Sequence, residues 1–145
     1  MGGPASLTPS GFVVVDTSFW VSSLLPNDQN YSAARTWLNL HLRSSGRLLT
    51  PLLIVVEVAG ALTRVTGDAN VARTAVLDLY SFPFLQLFPI DKALVDDAAD
   101  IAVTYRLRGA DAMYVALAWQ LNVPLVTFDQ EQLTRPASVI ATIRP

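Results

Sequence analysis

Cysteine is absent from this 145-residue sequence, and histidine occurs once, at position 41. Without thiols the chain forms no disulfide, thiolate nucleophile or cysteine-ligated zinc site. A single imidazole also excludes any catalytic or metal site that requires two histidines. We expect His41, which lies between two leucines on a predicted helix, to be partly exposed and to take no part in a site. The chemistry of this chain therefore has to come from carboxylates, hydroxyls and guanidinium groups.

Charged residues make up only 15% of the sequence, and Lys92 is the single lysine. The formal net charge is −2, so the molecule as a whole does not attract polyanions. Any binding of nucleic acid has to come from local arginines or from a bound metal ion. The apolar fraction of 52% excludes a disordered chain and indicates that a partner covers part of the hydrophobic surface.

Long hydrophobic runs are missing as well. The longest apolar region, residues 52–62, falls short of the roughly 20 residues that a membrane-spanning helix needs, and it contains Glu57. Residues 1–11 lack the basic and apolar regions of a secretory signal. We interpret residues 1–11 as a flexible tail and residues 12–145 as a single domain. We expect a cytoplasmic protein with no membrane partner.

Short apolar runs alternate with helical patterns along this domain. The run Phe12–Val15 is apolar at every position, which is typical of a strand buried on both faces of a parallel sheet. Further strands are predicted at 47–50, 84–88, 123–127 and 139–143, and helices at 17–25, 31–44, 52–65, 68–81, 92–106 and 110–121. This alternation predicts an α/β fold with three layers, α/β/α, and a mainly parallel central sheet.

Four acidic residues occur where such a fold places functional groups. Asp16 follows the first strand, Glu57 interrupts an apolar helix, Asp111 lies in the first turn of a helix, and Asp129 follows a late strand. Because ligands bind at the carboxyl ends of parallel strands, we expect these acids to converge there. Crowded carboxylates repel one another unless a cation lies between them. Hard oxygen ligands favour Mg²⁺ or Mn²⁺, so the pattern predicts a divalent metal site that activates water.

Each of these acids also has a purely structural interpretation. Asp16 could cap the following helix, Asp111 could interact with the helix dipole, and Asp129 could form an Asx-turn. Glu57 could pair with Arg64 or another arginine, because an isolated buried carboxylate is costly. The coincidence of the four carries more weight than any one of them.

The acids lie in short motifs: Asp-Thr-Ser at 16–18, Glu57 in its apolar helix, Gly-Ala-Asp-Ala at 109–112 and Val-Thr-Phe-Asp at 126–129. In this order the motifs resemble the PIN domain family, and within it the VapC ribonuclease toxins of bacterial toxin–antitoxin pairs. The resemblance covers residues 12–143, and the Gly-Ala-Asp-Ala helix start is its most specific part. It implies hydrolysis of RNA that depends on Mg²⁺ or Mn²⁺, a homodimer, and inhibition by a cognate antitoxin protein.

Carried over residue by residue, the resemblance assigns roles to individual side chains. It implies that Asp16, Asp111 and Asp129 hold the metal directly or through water, and that Glu57 orients a water ligand or binds a second ion. Its accessory hydroxyls fall on Ser18 and Thr127. Arg108, directly before the acidic helix, is a candidate for contact with a substrate phosphate, and Thr127 is a second candidate for substrate binding.

Two other functions fit parts of the pattern. A phosphatase of the haloacid dehalogenase type also has an aspartate after its first strand, but it expects a second aspartate where this chain has Ser18. A PIN-like module that binds RNA or protein without cutting is the other alternative, and the presence of all four acids argues against it. The apolar faces of residues 52–62 and 71–79 could form a groove for an antitoxin helix, or they could be ordinary core.

Overall fold

A central parallel sheet organises residues 11–145, the part of the chain that the computed structural model describes. Its strands are β1 (Phe12–Val15), β2 (Arg47–Pro51), β3 (Leu85–Phe88), β4 (Leu125–Val126) and β5 (Thr142–Ile143). The helices are α1 (Thr17–Leu24), α2 (Tyr31–Arg43), α3 (Ile54–Thr66), α4 (Ala69–Ser81), α5 (Lys92–Tyr105), α6 (Gly109–Leu121) and α7 (Gln130–Thr134). The predicted three-layer α/β/α fold is confirmed.

The strand order is β3-β2-β1-β4-β5, and every pairing between neighbours is parallel. Strand β1 lies in the middle, and its three valines are fully buried because both faces and both edges are covered. The chain proceeds from β1 to β2 and β3 on one side, and β4 and β5 occupy the other. The space between the ends of β1 and β4 is therefore the switch point at which parallel α/β sheets bind ligands.

Several element bounds differ from those predicted. Helix α3 begins at Ile54, because Pro51 extends β2 by pairing with Phe88 of β3. The last two strands are two residues long each, shorter than the apolar runs at 123–127 and 139–143 indicated. Helix α7 was not predicted, since five residues are too few to show a helical period.

The expectation that His41 is partly exposed is wrong. Its side chain is fully buried and stacks on Trp37, with ring centroids 4.6 Å apart. Its Nε2 hydrogen-bonds to the carbonyl oxygen of Arg47 at 3.0 Å, which ties α2 to the start of β2. Burial lowers the pKa of the imidazole, so the ring serves as a neutral packing element.

The remaining expectations concern membrane association, the N-terminal tail and the location in the cell. Within residues 11–145, no helix combines the length and the apolar character needed to cross a bilayer. The predicted tail, residues 1–11, lies outside the described part of the chain except for Gly11. The tail and the cytoplasmic location stay predictions.

Candidate functional site

The four predicted acids all lie on segments that meet at the carboxyl edge of the sheet. Asp16 directly follows β1 and is the N-cap of α1. Asp129 follows β4 and is the N-cap of α7. Glu57 and Asp111 lie in the first turns of α3 and α6. The capping interpretation of Asp16 therefore holds. For Asp129 the alternative was an Asx-turn, and the structure shows a helix cap instead, because its side chain accepts from the N–H of Gln132. The two caps fix both carboxylates at this edge.

Asp16 is a buried carboxylate, with 2% of its surface exposed, and it accepts four hydrogen bonds. Its Oδ1 accepts from the Ser18 hydroxyl at 2.8 Å and from the backbone N–H of Phe19 at 3.0 Å. Its Oδ2 accepts from the Thr127 hydroxyl at 2.5 Å and from Nε2 of Gln132 at 2.9 Å. A carboxylate offers about four acceptor positions, so all of them are used.

The two accessory hydroxyls hold Asp16 against the segment that follows β4. Ser18 Oγ accepts from the backbone N–H of Phe128 at 3.0 Å, and Thr127 Oγ1 accepts from that of Asp129 at 2.9 Å. Thr127 is fully buried, so its contacts are with Asp16, the Ser18 hydroxyl and the backbone rather than with a surface that a substrate reaches. Both residues position Asp16.

Glu57 is half-buried and hydrogen-bonded to two neutral hydroxyls. Its Oε1 accepts from Thr17 at 2.8 Å and from the Tyr114 hydroxyl at 2.6 Å. Burial, and then this bond to Glu57, raise the pKa of Tyr114, which keeps the phenol protonated as a donor. Within residues 11–145 no arginine pairs with Glu57, so the ion-pair alternative with Arg64 is wrong.

Gln132 connects two of the acids and was missed in the sequence. Its Nε2 donates to Asp16 and lies 3.3 Å from Oδ1 of Asp111. Its backbone N–H donates to Oδ1 of Asp129 at 2.9 Å, as the capping of α7 requires. The only signal in the sequence was that Asp129 could cap a helix. A capping aspartate accepts a hydrogen bond from the backbone N–H of the third residue after it, and here that residue is Gln132.

The charges of the other three acids act on Asp111. Burial and then the charges of Asp129, Asp16 and Glu57 together raise the pKa of Asp111 to about 6, and the charge of Arg108 acts in the opposite direction. Arg108 is exposed and directly precedes α6, so its guanidinium faces solvent near Asp111. Burial also raises the pKa of Asp16 to about 6, against the hydrogen bonds from Thr127, Phe19, Ser18 and Gln132.

The donor set fits a hard divalent cation in chemistry and in charge. It consists of carboxylate oxygens whose mutual repulsion a cation relieves, and an amide N–H already bridges two of them. In the described part of the chain, however, no three acidic or histidine side chains are arranged as a finished metal site. The four acids lie at the same edge of the sheet, but their side chains have to change orientation before they can surround an ion.

A parallel α/β sheet with acids gathered at its switch point defines a class of open-sheet proteins that bind ligands at this edge. The sequence matches the PIN domain family over residues 13–137. The chain belongs to the PIN domain family, and the resemblance in its motifs is confirmed. Comparison with curated protein sequences gave no significant match.

Solved structures with the same fold include proteins of toxin–antitoxin systems. VapC20 of Mycobacterium tuberculosis, a toxin that cleaves the sarcin–ricin loop, superposes with a TM-score of 0.73 at 20% identity, over 92% of this chain and 99% of that one. VapBC2 of Rickettsia felis, bound to a DNA fragment from its promoter, gives 0.70 at 12% identity over 92% and 98%. PAE2754 of Pyrobaculum aerophilum gives 0.66 at 22% identity over 93% and 90%. At these identities the likeness concerns the fold.

The raised pKa of Asp16 predicts that the metal-free protein loses stability as the pH rises from about 4 to about 6. In that interval the folded protein retains a proton that the unfolded chain has released, so the free energy of unfolding falls as the pH increases. The difference between 3.8 and about 6 corresponds to roughly 3 kcal/mol for Asp16. Urea unfolding in EDTA at a series of pH values measures this slope.

Asp16→Asn should reduce the slope without removing it, because Asp111 also has a raised pKa of about 6 and contributes over the same interval. Asp78→Asn, at an exposed position, serves as the control and should leave the slope unchanged. A metal-free protein whose stability is constant or increases across this interval would contradict the buried environment of Asp16.

Tyr114→Phe tests the support of Glu57. The variant removes a hydrogen bond to a carboxylate without changing the ring, and we expect a loss of about 1–2 kcal/mol in the free energy of unfolding. Tyr80→Phe, at an exposed position of α4, is the matched control and should change it by less than about 0.5 kcal/mol. Equal stability of the two variants in urea unfolding would show that the bond to Glu57 contributes nothing.

Proposed function

We propose that this chain is a metal-dependent endoribonuclease, the toxin of a VapBC-type toxin–antitoxin pair. The observation that carries the proposal is the gathering of four acids at the switch point of a PIN fold, with Asp16 and Asp111 bridged by one amide. The fold's likeness to VapC20 supports RNA as the substrate. The phosphatase alternative is not retained, because the chain belongs to a different family.

Asp16, Asp111 and Asp129 would hold Mg²⁺ or Mn²⁺ in this proposal. When bound, such an ion supplies an activated water and positive charge against the phosphodiester oxygens. Ser18, Thr127 and the N-terminus of α1 hold Asp16 in place, so the carboxylate keeps one orientation.

Glu57 is suited to orient a water molecule. Thr17 and Tyr114 both donate to its Oε1, and no residue in the range 11–145 donates to its Oε2. The second oxygen is therefore available to accept a hydrogen bond from water at the edge of the site. Fixing the first oxygen prevents the carboxylate from turning away.

Arg108 is the candidate for contact with a substrate phosphate. It is exposed at the start of α6, and its charge acts on Asp111. A guanidinium there can bind a phosphate in two-point geometry next to the acids. Because the net charge is −2, attraction of RNA has to come from a local positive group such as Arg108 or from the bound metal ion.

Asp111→Asn is the variant that tests the activity. We expect the wild-type protein to cleave single-stranded RNA in the presence of Mn²⁺, and EDTA to abolish the cleavage. Removing the negative charge of Asp111 should lower the cleavage rate by on the order of 100-fold or more, because a carboxylate ligand is lost. Sequencing of the RNA ends produced identifies the cleavage sites.

Asp100→Asn, at an exposed position of α5, is the matched control and should cleave at the wild-type rate. Equal rates for the two variants would refute the role of Asp111. Binding of RNA without cleavage by the wild-type protein would instead support the non-catalytic module.

The groove between α3 and α4 is the proposed docking surface for the antitoxin. It is lined mostly by small and apolar side chains: Ala59, Thr63, Ala69, Ala72, Arg73, Val76 and Leu77. Leu77 is 68% exposed there, so a partner helix that covers it would bury apolar area. The similar structure from Rickettsia felis contains a VapBC pair, which supports a protein partner. We also propose that the chain forms a homodimer.

Leu77→Glu should weaken binding of the antitoxin encoded in the adjacent reading frame by about tenfold or more, because it places a charge in an apolar contact. Val103→Glu, on α5 and 81% exposed, adds the same charge elsewhere and should bind like the wild type. Titration calorimetry measures both affinities, and light scattering measures the number of copies in the complex. If Leu77→Glu binds the antitoxin no more weakly than Val103→Glu does, the antitoxin does not bind in the groove between α3 and α4.

A further inference from the structure

Gln132 has a buried side-chain amide whose hydrogen-bond partners, in the described part of the chain, are acids only. It is the third residue of α7, and 2% of its surface is exposed. Its backbone is held by the cap at Asp129, which fixes the point from which the side chain extends. Its Oε1 is buried and has no hydrogen-bond partner within residues 11–145. The orientation of the amide is therefore set by what Nε2 contacts.

Nε2 of Gln132 lies between two carboxylates. It is 2.9 Å from Oδ2 of Asp16 and 3.3 Å from Oδ1 of Asp111. Its two N–H groups can serve both oxygens, and they carry partial positive charge against two negative groups. The amide thus does in part what a cation between these oxygens would do.

The other donors to Asp16 are held more firmly than Gln132. The N–H of Phe19 belongs to the first turn of α1. Ser18 and Thr127 each accept a backbone N–H from the segment after β4, so each is anchored at both ends. Because all four acceptor positions of Asp16 are filled, a cation can bind it directly only if one donor leaves. Gln132 is the donor whose side chain, within residues 11–145, forms hydrogen bonds only with the acids, so its departure breaks no other hydrogen bond.

We propose that the Gln132 amide occupies the place of the cation between Asp16 and Asp111 in the metal-free protein and has to leave before these oxygens bind an ion. Gln132 is therefore a positioning residue that stabilises the metal-free fold and opposes metal binding. The inference rests on the proposed metal site and adds to it a residue that sets the affinity for metal.

The test is Gln132→Ala, measured for thermal stability in EDTA and for Mn²⁺ affinity by titration calorimetry. We expect the melting temperature of the metal-free variant to fall by several degrees, since a bond to a buried carboxylate is lost. We expect Mn²⁺ to bind about tenfold more tightly, since no amide has to be displaced. The two quantities change in opposite directions, which a residue with a merely structural role does not produce.

Gln130→Ala is the matched control, because Gln130 lies on the same helix and is exposed. It should change neither quantity. Gln132→Met keeps the length of the side chain without the donor and repeats the test if the alanine variant does not fold.

The outcomes separate this inference from the proposed function. If the wild-type protein binds Mn²⁺ and Gln132→Ala binds it equally or more weakly, the displacement is refuted while the metal site stands. Weaker binding would identify the amide as a ligand instead of a competitor. If the wild-type protein binds no Mn²⁺, both the metal site and the role of Gln132 are refuted.

Discussion

The burial of the Asp16 carboxylate is the constraint on which the rest of the site depends. A buried charge is stable only when its acceptor positions are satisfied, and here the four donors come from α1, from the end of β4 and from α7. Satisfying one carboxylate therefore fixes three segments relative to one another. The strand order places that carboxylate at the switch point, so the same bonds that stabilise the fold also define the edge at which ligands bind.

The acids around Asp16 oppose the stability that its hydrogen bonds provide. The charges of Asp129, Asp16 and Glu57 all raise the pKa of Asp111, which means that the folded state brings like charges together. Neutral groups reduce this cost without removing the acids: Thr17 and Tyr114 at Glu57, and Gln132 between Asp16 and Asp111. Replacing one acid with a neutral residue would relieve the repulsion among the others. The retention of all four acids therefore indicates a demand other than stability.

The sequence predicted the parts of the fold and the site that depend on local pattern. The valine run of β1 indicated a central strand, and the acids were visible because carboxylates at strand ends and in helix first turns are locally recognisable. Tyr114 and Gln132 were missed because nothing in a neutral side chain on a helix shows that it will meet a carboxylate 57 or 116 residues away. His41 was misjudged for the same reason, since its burial depends on Trp37 stacking and on the carbonyl of Arg47.

The charge of the molecule constrains how the proposed nuclease meets its substrate. The net charge is −2, and four acids face the edge at which an RNA phosphate would have to arrive. Arg108 alone does not offset them, so a phosphate approaching the metal-free site meets net repulsion. Neutralising the acids with a divalent ion reverses the sign of that interaction. Under the proposed function, binding of metal and binding of RNA at this edge are therefore linked, and any group that competes with the metal for Asp16 also competes indirectly with the substrate.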